Sequence, residues 1–184
     1  MKYPLLLLAT GLLMLGACKS RNTQFLPDQI HKEDGQTPDT NAGAGKFSID
    51  PPSGWQKTDT TINNVKIISL LSPAKSNEFR SNINVMTESI RDVSLDGYFD
   101  QSVSTMSKFT DNYSAGPKGE KEINGMRSKW MKYSCNKNGF DLDVLVYFVT
   151  KDGIAYVIMC TAPKGRIELY QAQFEEAVNS FRVS

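Results

Sequence analysis

Three thiols, one histidine and a scattering of carboxylates are the side chains of this 184-residue chain most able to carry chemistry. A serine or cysteine nucleophile with a histidine base needs both groups held in fixed geometry. The sole histidine, His31, lies in Lys19 to Lys46, a stretch dominated by Thr, Asn, Gln, Asp, Gly and Pro with almost no apolar periodicity. Such a composition cannot bury enough surface to fold. Histidine-base catalysis and zinc sites built from several histidines are therefore excluded, and Cys135 and Cys160 are too far apart to form a CxxC pair. Glu88, Asp92, Asp96, Asp141 and Asp143 are the carboxylates available for acid–base or metal chemistry. Asp141 and Asp143 share one face of an expected strand, a spacing that ordinarily marks the wet face of a half-buried sheet. The third thiol, Cys18, is placed differently. It follows the early charge Lys2, the apolar run Leu5 to Leu15 and the small pair Gly16-Ala17. A basic start, an apolar centre and small residues before a cleavage point make an export signal, and this run is too short to span a bilayer.

Leu15-Gly16-Ala17-Cys18 resembles the bacterial lipobox: a branched apolar residue, two small residues, then cysteine. The resemblance implies a diacylglycerol on the Cys18 thiol, cleavage before Cys18 and acylation, typically by palmitate, of the new amino terminus. The expected organisation is a signal peptide at 1–17, a lipidated N-terminus and flexible tether at 18–46, and a folded domain at 47–184. Two or three acyl chains bury tens of methylenes at about 0.8 kcal/mol each, enough for a stable anchor. The apolar stretches after Cys18, Val144 to Val149 and Ile154 to Cys160, have strand length and are separated by Lys151-Asp152-Gly153. Lys19 is not the acidic residue associated with inner-membrane retention, so the outer membrane is favoured over the inner one. As a flexible coil the tether reaches about 30 Å, and Phe25-Leu26 with Ile30 is its only apolar cluster.

The whole chain carries 21 basic and 20 acidic residues; loss of residues 1–17 removes Lys2 and leaves a formally neutral mature chain. Nucleic acid is an unsuitable partner for such a balance, since phosphate binding needs a basic surplus gathered on one face. An anionic bilayer gains no electrostatic hold on it either. One local excess stands out: Lys118, Lys121, Arg127, Lys129, Lys132 and Lys137 are offset within their interval only by Glu120 and Glu122. Arg127, Lys129 and Lys132 are the candidate surface for an acidic partner. The plainer alternative is lysine protecting strand edges and turns against aggregation.

The elements that must position these groups begin at Phe47. Phe47-Ser48-Ile49 alternates, Pro51-Pro52-Ser53-Gly54-Trp55 turns the chain, and Val65 to Leu71 and Asn82 to Thr87 read as strands. Leu95, Phe99, Ser102, Met106 and Phe109 recur at helical steps behind a capping Ser94, and Ile167, Tyr170, Phe174, Ala177, Val178 and Phe181 repeat that spacing. Between the two helices, Met126 to Cys135, Phe140 to Val149 and Ile154 to Thr161 form a meander joined by Asn138-Gly139 and Asp152-Gly153, with short strands expected at 113–115 and 120–123. The fold class is α+β: a twisted antiparallel β-sheet with two main amphipathic helices packed on it. Cys135 and Cys160 then have a whole strand between them, about 10 Å of separation, which is beyond a disulfide. Both are expected to be small buried apolar residues.

Phe47-Ser48-Ile49 with Pro52-Ser53-Gly54-Trp55, the helix from Leu95 to Phe109, Ala155-Tyr156-Val157-Ile158 and Asn179-Ser180-Phe181-Arg182 together resemble the PsbP and Mog1-like family over residues 46 to 184. The resemblance implies an antiparallel sheet with helices on its faces and a role in binding; members assist the oxygen-evolving photosystem, bind a small nuclear GTPase or serve as secretion adaptors. No catalytic residue, cofactor or metal ligand is carried over, and the histidines that some photosystem members offer to metal have no counterpart in 47–184. The expected function is a lipid-anchored, non-enzymatic binding or assembly module of the cell envelope, attached to the membrane by its N-terminal lipid and serving an unidentified envelope protein. The alternatives are a periplasmic small-ligand or metal-binding protein and, behind these, a carboxylate-dependent enzyme.

Overall fold

The computed structural model describes residues 46–184 apart from Asn63, Asn64, Asn77 and Arg91. Cys18, His31, and the segments expected to be a signal peptide (1–17) and a tether (18–46, up to residue 45) lie outside the described residues. Nine strands and two helices follow one another as β1 (Phe47–Ser48), β2 (Gln56–Ile62), β3 (Val65–Leu71), β4 (Asn82–Ser89), α1 (Leu95–Phe109), β5 (Ser114–Ile123), β6 (Met126–Lys137), β7 (Phe140–Lys151), β8 (Ile154–Pro163), α2 (Gln171–Ser180) and β9 (Arg182–Val183). A seven-stranded sheet has the order β2-β3-β4-β8-β7-β6-β5, every neighbouring pair antiparallel, and β1 pairs with β9 in a separate two-stranded sheet. The class is α+β, as the sequence patterns indicate.

The meander is fixed by its turns. Asn138 and Gly139 both have positive φ, +52° and +84°, the geometry that a two-residue hairpin needs to match the twist of its strands. Counting outward from that turn pairs Lys137 with Phe140 and, further along, Trp130 with Tyr147. Period-two alternation then sends successive side chains to opposite faces. Leu145, Tyr147 and Val149 of β7 meet Phe174, Ala177 and Val178 of α2 in one core, which also takes in Phe47 and Phe181. Val144, Val146 and Phe148 meet Leu95, Tyr98, Phe99 and Met106 of α1 in the other. The helices thus cover opposite faces of the central sheet, and β7 and β8, apolar on both sides, read as nearly continuous apolar runs for that reason.

Three local features differ from the sequence expectation. β2 is an edge strand whose described side chains are largely exposed, so the burial alternation that reveals a strand is absent. The two short strands expected at 113–115 and 120–123 are one strand, β5, whose pairing with β6 is irregular between Ala115 and Lys118. Gly116 sits in that irregularity, and a Cβ there would lie 2.9 Å from the Lys132 carbonyl oxygen. The last helix begins as a 3₁₀ turn, Ile167–Tyr170, which carries no side-chain cap, and becomes α-helical only at Gln171.

Cys135 on β6 belongs to the α1-side core and Cys160 on β8 to the α2-side core. Strand β7 separates them, they point to opposite faces, and both are free and buried. Burial pushes the Cys135 thiol up to about 11 and raises that of Cys160 as well, so thiolate is scarce at neutral pH. Alkylation of both is expected to be slow in the native protein and complete in denaturant without reductant. A Cys135–Cys160 linked peptide in mass spectrometry would contradict the strand order.

Candidate functional site

Alternation along β6 divides the expected basic surface between two faces. Arg127 and Lys129 project on the α1 side, where Arg127 binds Asp96 through both terminal nitrogens at 3.0 and 3.1 Å and Glu120 at 2.7 Å. The Lys129 ammonium lies 2.6 Å from Asp96 Oδ1 and 4.9 Å from the centre of the Phe99 ring. Lys118 lies over the same ring at 5.9 Å. Lys132 projects on the α2 side and binds Glu168 at 3.0 Å. Lys121 is on that side too, its ammonium 5.8 Å from the centre of the Tyr147 ring. Arg127 and Lys129 are brought together, Lys132 is not with them, and all three have carboxylate partners within the chain.

Asp96 occupies the first turn of α1, where a carboxylate suits the helix dipole. Hydrogen bonds from Arg127, then Lys129, hold its carboxyl down at about 2 against an ordinary 3.8. A lowered carboxyl value stabilises the fold above the ordinary value, and that contribution is lost as the pH falls through about 2. An NMR titration of the Asp96 side-chain carbon is expected to inflect near 2 in the native protein and to move back toward 3.8 in Arg127→Ala. An unmoved inflection would mean that the cluster does not set it.

The other carboxylates are dispersed. Glu88 accepts the Tyr98 hydroxyl at 2.6 Å, beneath α1. Asp141 accepts Asn136 Nδ2 at 3.0 Å. Asp143 accepts Ser134 Oγ at 2.7 Å with one oxygen and the Gly165 backbone N–H at 2.7 Å with the other, so it fastens the turn leading from β8 toward α2. Asp92 lies just ahead of α1 and is exposed. Among the described residues, no three His, Cys, Asp or Glu side chains cluster so as to hold a metal ion.

On the α2 side, where α2 and the 3₁₀ turn stand off the β5–β7 end of the sheet, a groove of about 350 Å³ opens. Trp130, Leu145, Tyr147, Ile167 and Phe174 form its apolar lining, and Lys121, Lys132, Glu168 and Glu175 its charged margin. The Trp130 indole packs against Gly119 directly across β5, so closely that a Cβ on Gly119 would stand 3.0 Å from the ring. Sequence reading treats Lys121 only as part of a basic run and passes over Trp130 and Tyr147. The signal was nonetheless present, because the Asn138-Gly139 turn sets the register that places those two rings opposite each other.

No family model and no curated protein matches the chain. Solved structures do. LpqN, involved in cell envelope biogenesis of Mycobacterium tuberculosis, matches with a TM-score of 0.59 at 12% identity over 80% of this chain and 90% of that one. A Pseudomonas aeruginosa protein of unknown function matches with a TM-score of 0.57 at 13% identity over 74% of this chain and 96% of that one. CyanoP, the cyanobacterial PsbP of Synechocystis, matches with a TM-score of 0.52 at 14% identity over 82% of this chain and 98% of that one. The fold is PsbP/Mog1-like. At such identities the likeness is one of backbone architecture, and the groove and the Asp96 cluster of this chain are read from its own side chains.

Proposed function

We propose that the chain is an exported lipoprotein, acylated at Cys18 and held in the cell envelope, at the outer rather than the inner membrane. Its domain, 47–184, acts there as a non-enzymatic binding or assembly module for an envelope protein, at the end of the 18–46 tether. The observation that carries the reading is Leu15-Gly16-Ala17-Cys18 at the end of an export signal. Two others support it. LpqN, whose architecture this chain shares, is described as involved in cell envelope biogenesis. No helix among the described residues is long and apolar enough to cross a membrane, which is compatible with attachment through a lipid.

A binding role is favoured over a carboxylate-dependent reaction by what the carboxylates do. Asp96, Glu120, Asp141 and Asp143 each accept hydrogen bonds that brace neighbouring elements, and the paired Asp141 and Asp143 serve Asn136, Ser134 and Gly165. The test is complementation of a deletion strain that has an envelope phenotype. Asp141→Asn combined with Asp143→Asn is expected to complement fully, with a stability loss of about 1–3 kcal/mol from the weakened turn. Loss of complementation with fold and abundance unchanged would favour carboxylate chemistry instead.

A further inference from the structure

The groove has an imbalance of hydrogen-bonding groups. Two of its carboxylates are ion-paired, Glu168 with Lys132 at 3.0 Å and Glu120 with Arg127 at 2.7 Å, and the third, Glu175, accepts from the Gln171 amide at 3.0 Å. Its remaining donors lack such partners. Among the described residues, none accepts a hydrogen bond from the Lys121 ammonium, the Trp130 indole N–H or the Tyr147 hydroxyl. These three belong together by register, since Trp130 pairs with Gly119 on one side and Tyr147 on the other, and Lys121 stands over the Tyr147 ring. Burial pushes the Tyr147 phenol well above its usual range, so it keeps its proton and can donate.

From this we infer that the groove binds a small planar apolar molecule bearing one carboxylate, an aromatic carboxylate in chemical class. The ring system lies on Trp130, Leu145 and Phe174, where flat apolar faces are matched by stacking and edge contacts. The carboxylate supplies the two acceptor oxygens that Lys121, Trp130 and Tyr147 lack. A neutral polyol would bring further donors to a margin where donors already outnumber acceptors. Lys121 is the groove's one ammonium without a carboxylate partner among the described residues, and it matches a single carboxylate. The volume, about 350 Å³, falls at the lower end of the range for small-molecule sites. This inference does not depend on the envelope role, since it concerns one face of the domain whatever protein the rest of its surface meets.

The experiment titrates the mature chain, residues 18–184 with Cys18→Ser so that no detergent is needed, with 2-naphthoate, by calorimetry and by indole fluorescence. One-to-one saturation with a Kd below about 1 mM is expected. Lys121→Glu, at a half-exposed position, should weaken binding at least about tenfold, and Trp130→Phe, which keeps an aromatic ring but removes the indole donor and part of the stacking area, about threefold. Neutral 2-naphthylmethanol should bind about tenfold more weakly than the acid and be indifferent to Lys121→Glu. Absence of saturation into the millimolar range, or equal naphthoate affinity in the parent and Lys121→Glu proteins, would overturn the assignment. Either result would leave membrane attachment and complementation, the tests of the envelope role, unaffected.

Discussion

Cys18→Ala is expected to abolish incorporation of labelled palmitate and to move the chain from the membrane pellet to the soluble periplasmic fraction, with most of the protein changing compartment. The size of the effect follows from what else could hold the chain. Without residues 1–17 the sequence is formally neutral and gains nothing from an anionic surface. The apolar strands β7 and β8 are buried between two helices and are not available to lipid. Acyl chains contribute about 0.8 kcal/mol per methylene, so removing two or three of them takes away nearly the whole binding energy at once. A Cys18→Ala chain that still carries label and sediments with membranes would refute the anchor. Unlabelled protein that sediments nonetheless would point instead to an uncleaved Leu5–Leu15 run or to capture by a membrane-resident partner, which the mass of the chain tells apart.

The second large effect is expected within the fold. Phe148 is 1% exposed and meets Phe99 edge-on at 5.4 Å and Tyr98 at 6.0 Å, so it is the residue of the sheet on which the first half of α1 rests. Truncating a buried phenylalanine removes its transfer energy and leaves a cavity that rigid neighbours cannot fill. Phe148→Ala should therefore cost about 3–5 kcal/mol, a large part of the stability of a domain of this size. Urea unfolding should show the midpoint displaced to lower denaturant with the slope unchanged. A loss below about 1 kcal/mol would mean that α1 re-seats on Val146 and Met131, its neighbours in the same core.

Much of the architecture was legible because local chemistry dictated it. Asn138-Gly139 and Asp152-Gly153 encode hairpins that need no tertiary help, and the spacing from Leu95 to Met106 encodes the buried stripe of α1. β2 was illegible for the converse reason: its stretch of Gln, Lys, Asp and Thr is largely exposed at an edge of the sheet, and its β-branched residues, the threonines and Ile62, were the cue to a strand. The basic run misled because proximity along a strand is not proximity in space. Lys129 and Lys132 differ by three positions, an odd number, and so stand on opposite faces. What they bind, Asp96 on α1 and Glu168 beside α2, comes from elements distant in sequence. The groove is still harder to read, because it arises where a helix stops short of covering a sheet, and helix position is a tertiary property that no short pattern records.

The pairing of β1 with β9 has a mechanical consequence. Phe47 lies opposite Val183, Ser48 opposite Arg182, and the Ser184 N–H reaches the Lys46 carbonyl oxygen at 2.8 Å, so the first and last described residues are stitched to each other and not to the seven-stranded sheet. Tension applied through the N-terminal segment enters the domain at this short seam, whose second strand begins two residues after α2 ends and which is backed by Asn124, whose side chain donates to the Asn179 and Phe181 carbonyls at 2.8 Å. Two ladder pairs part far more readily than the long hairpins of β6, β7 and β8. The seam is therefore the element expected to part first when the domain is pulled from its N-terminal side, with the buried Phe47 ring, set against Tyr156 and Phe181, as the remaining resistance.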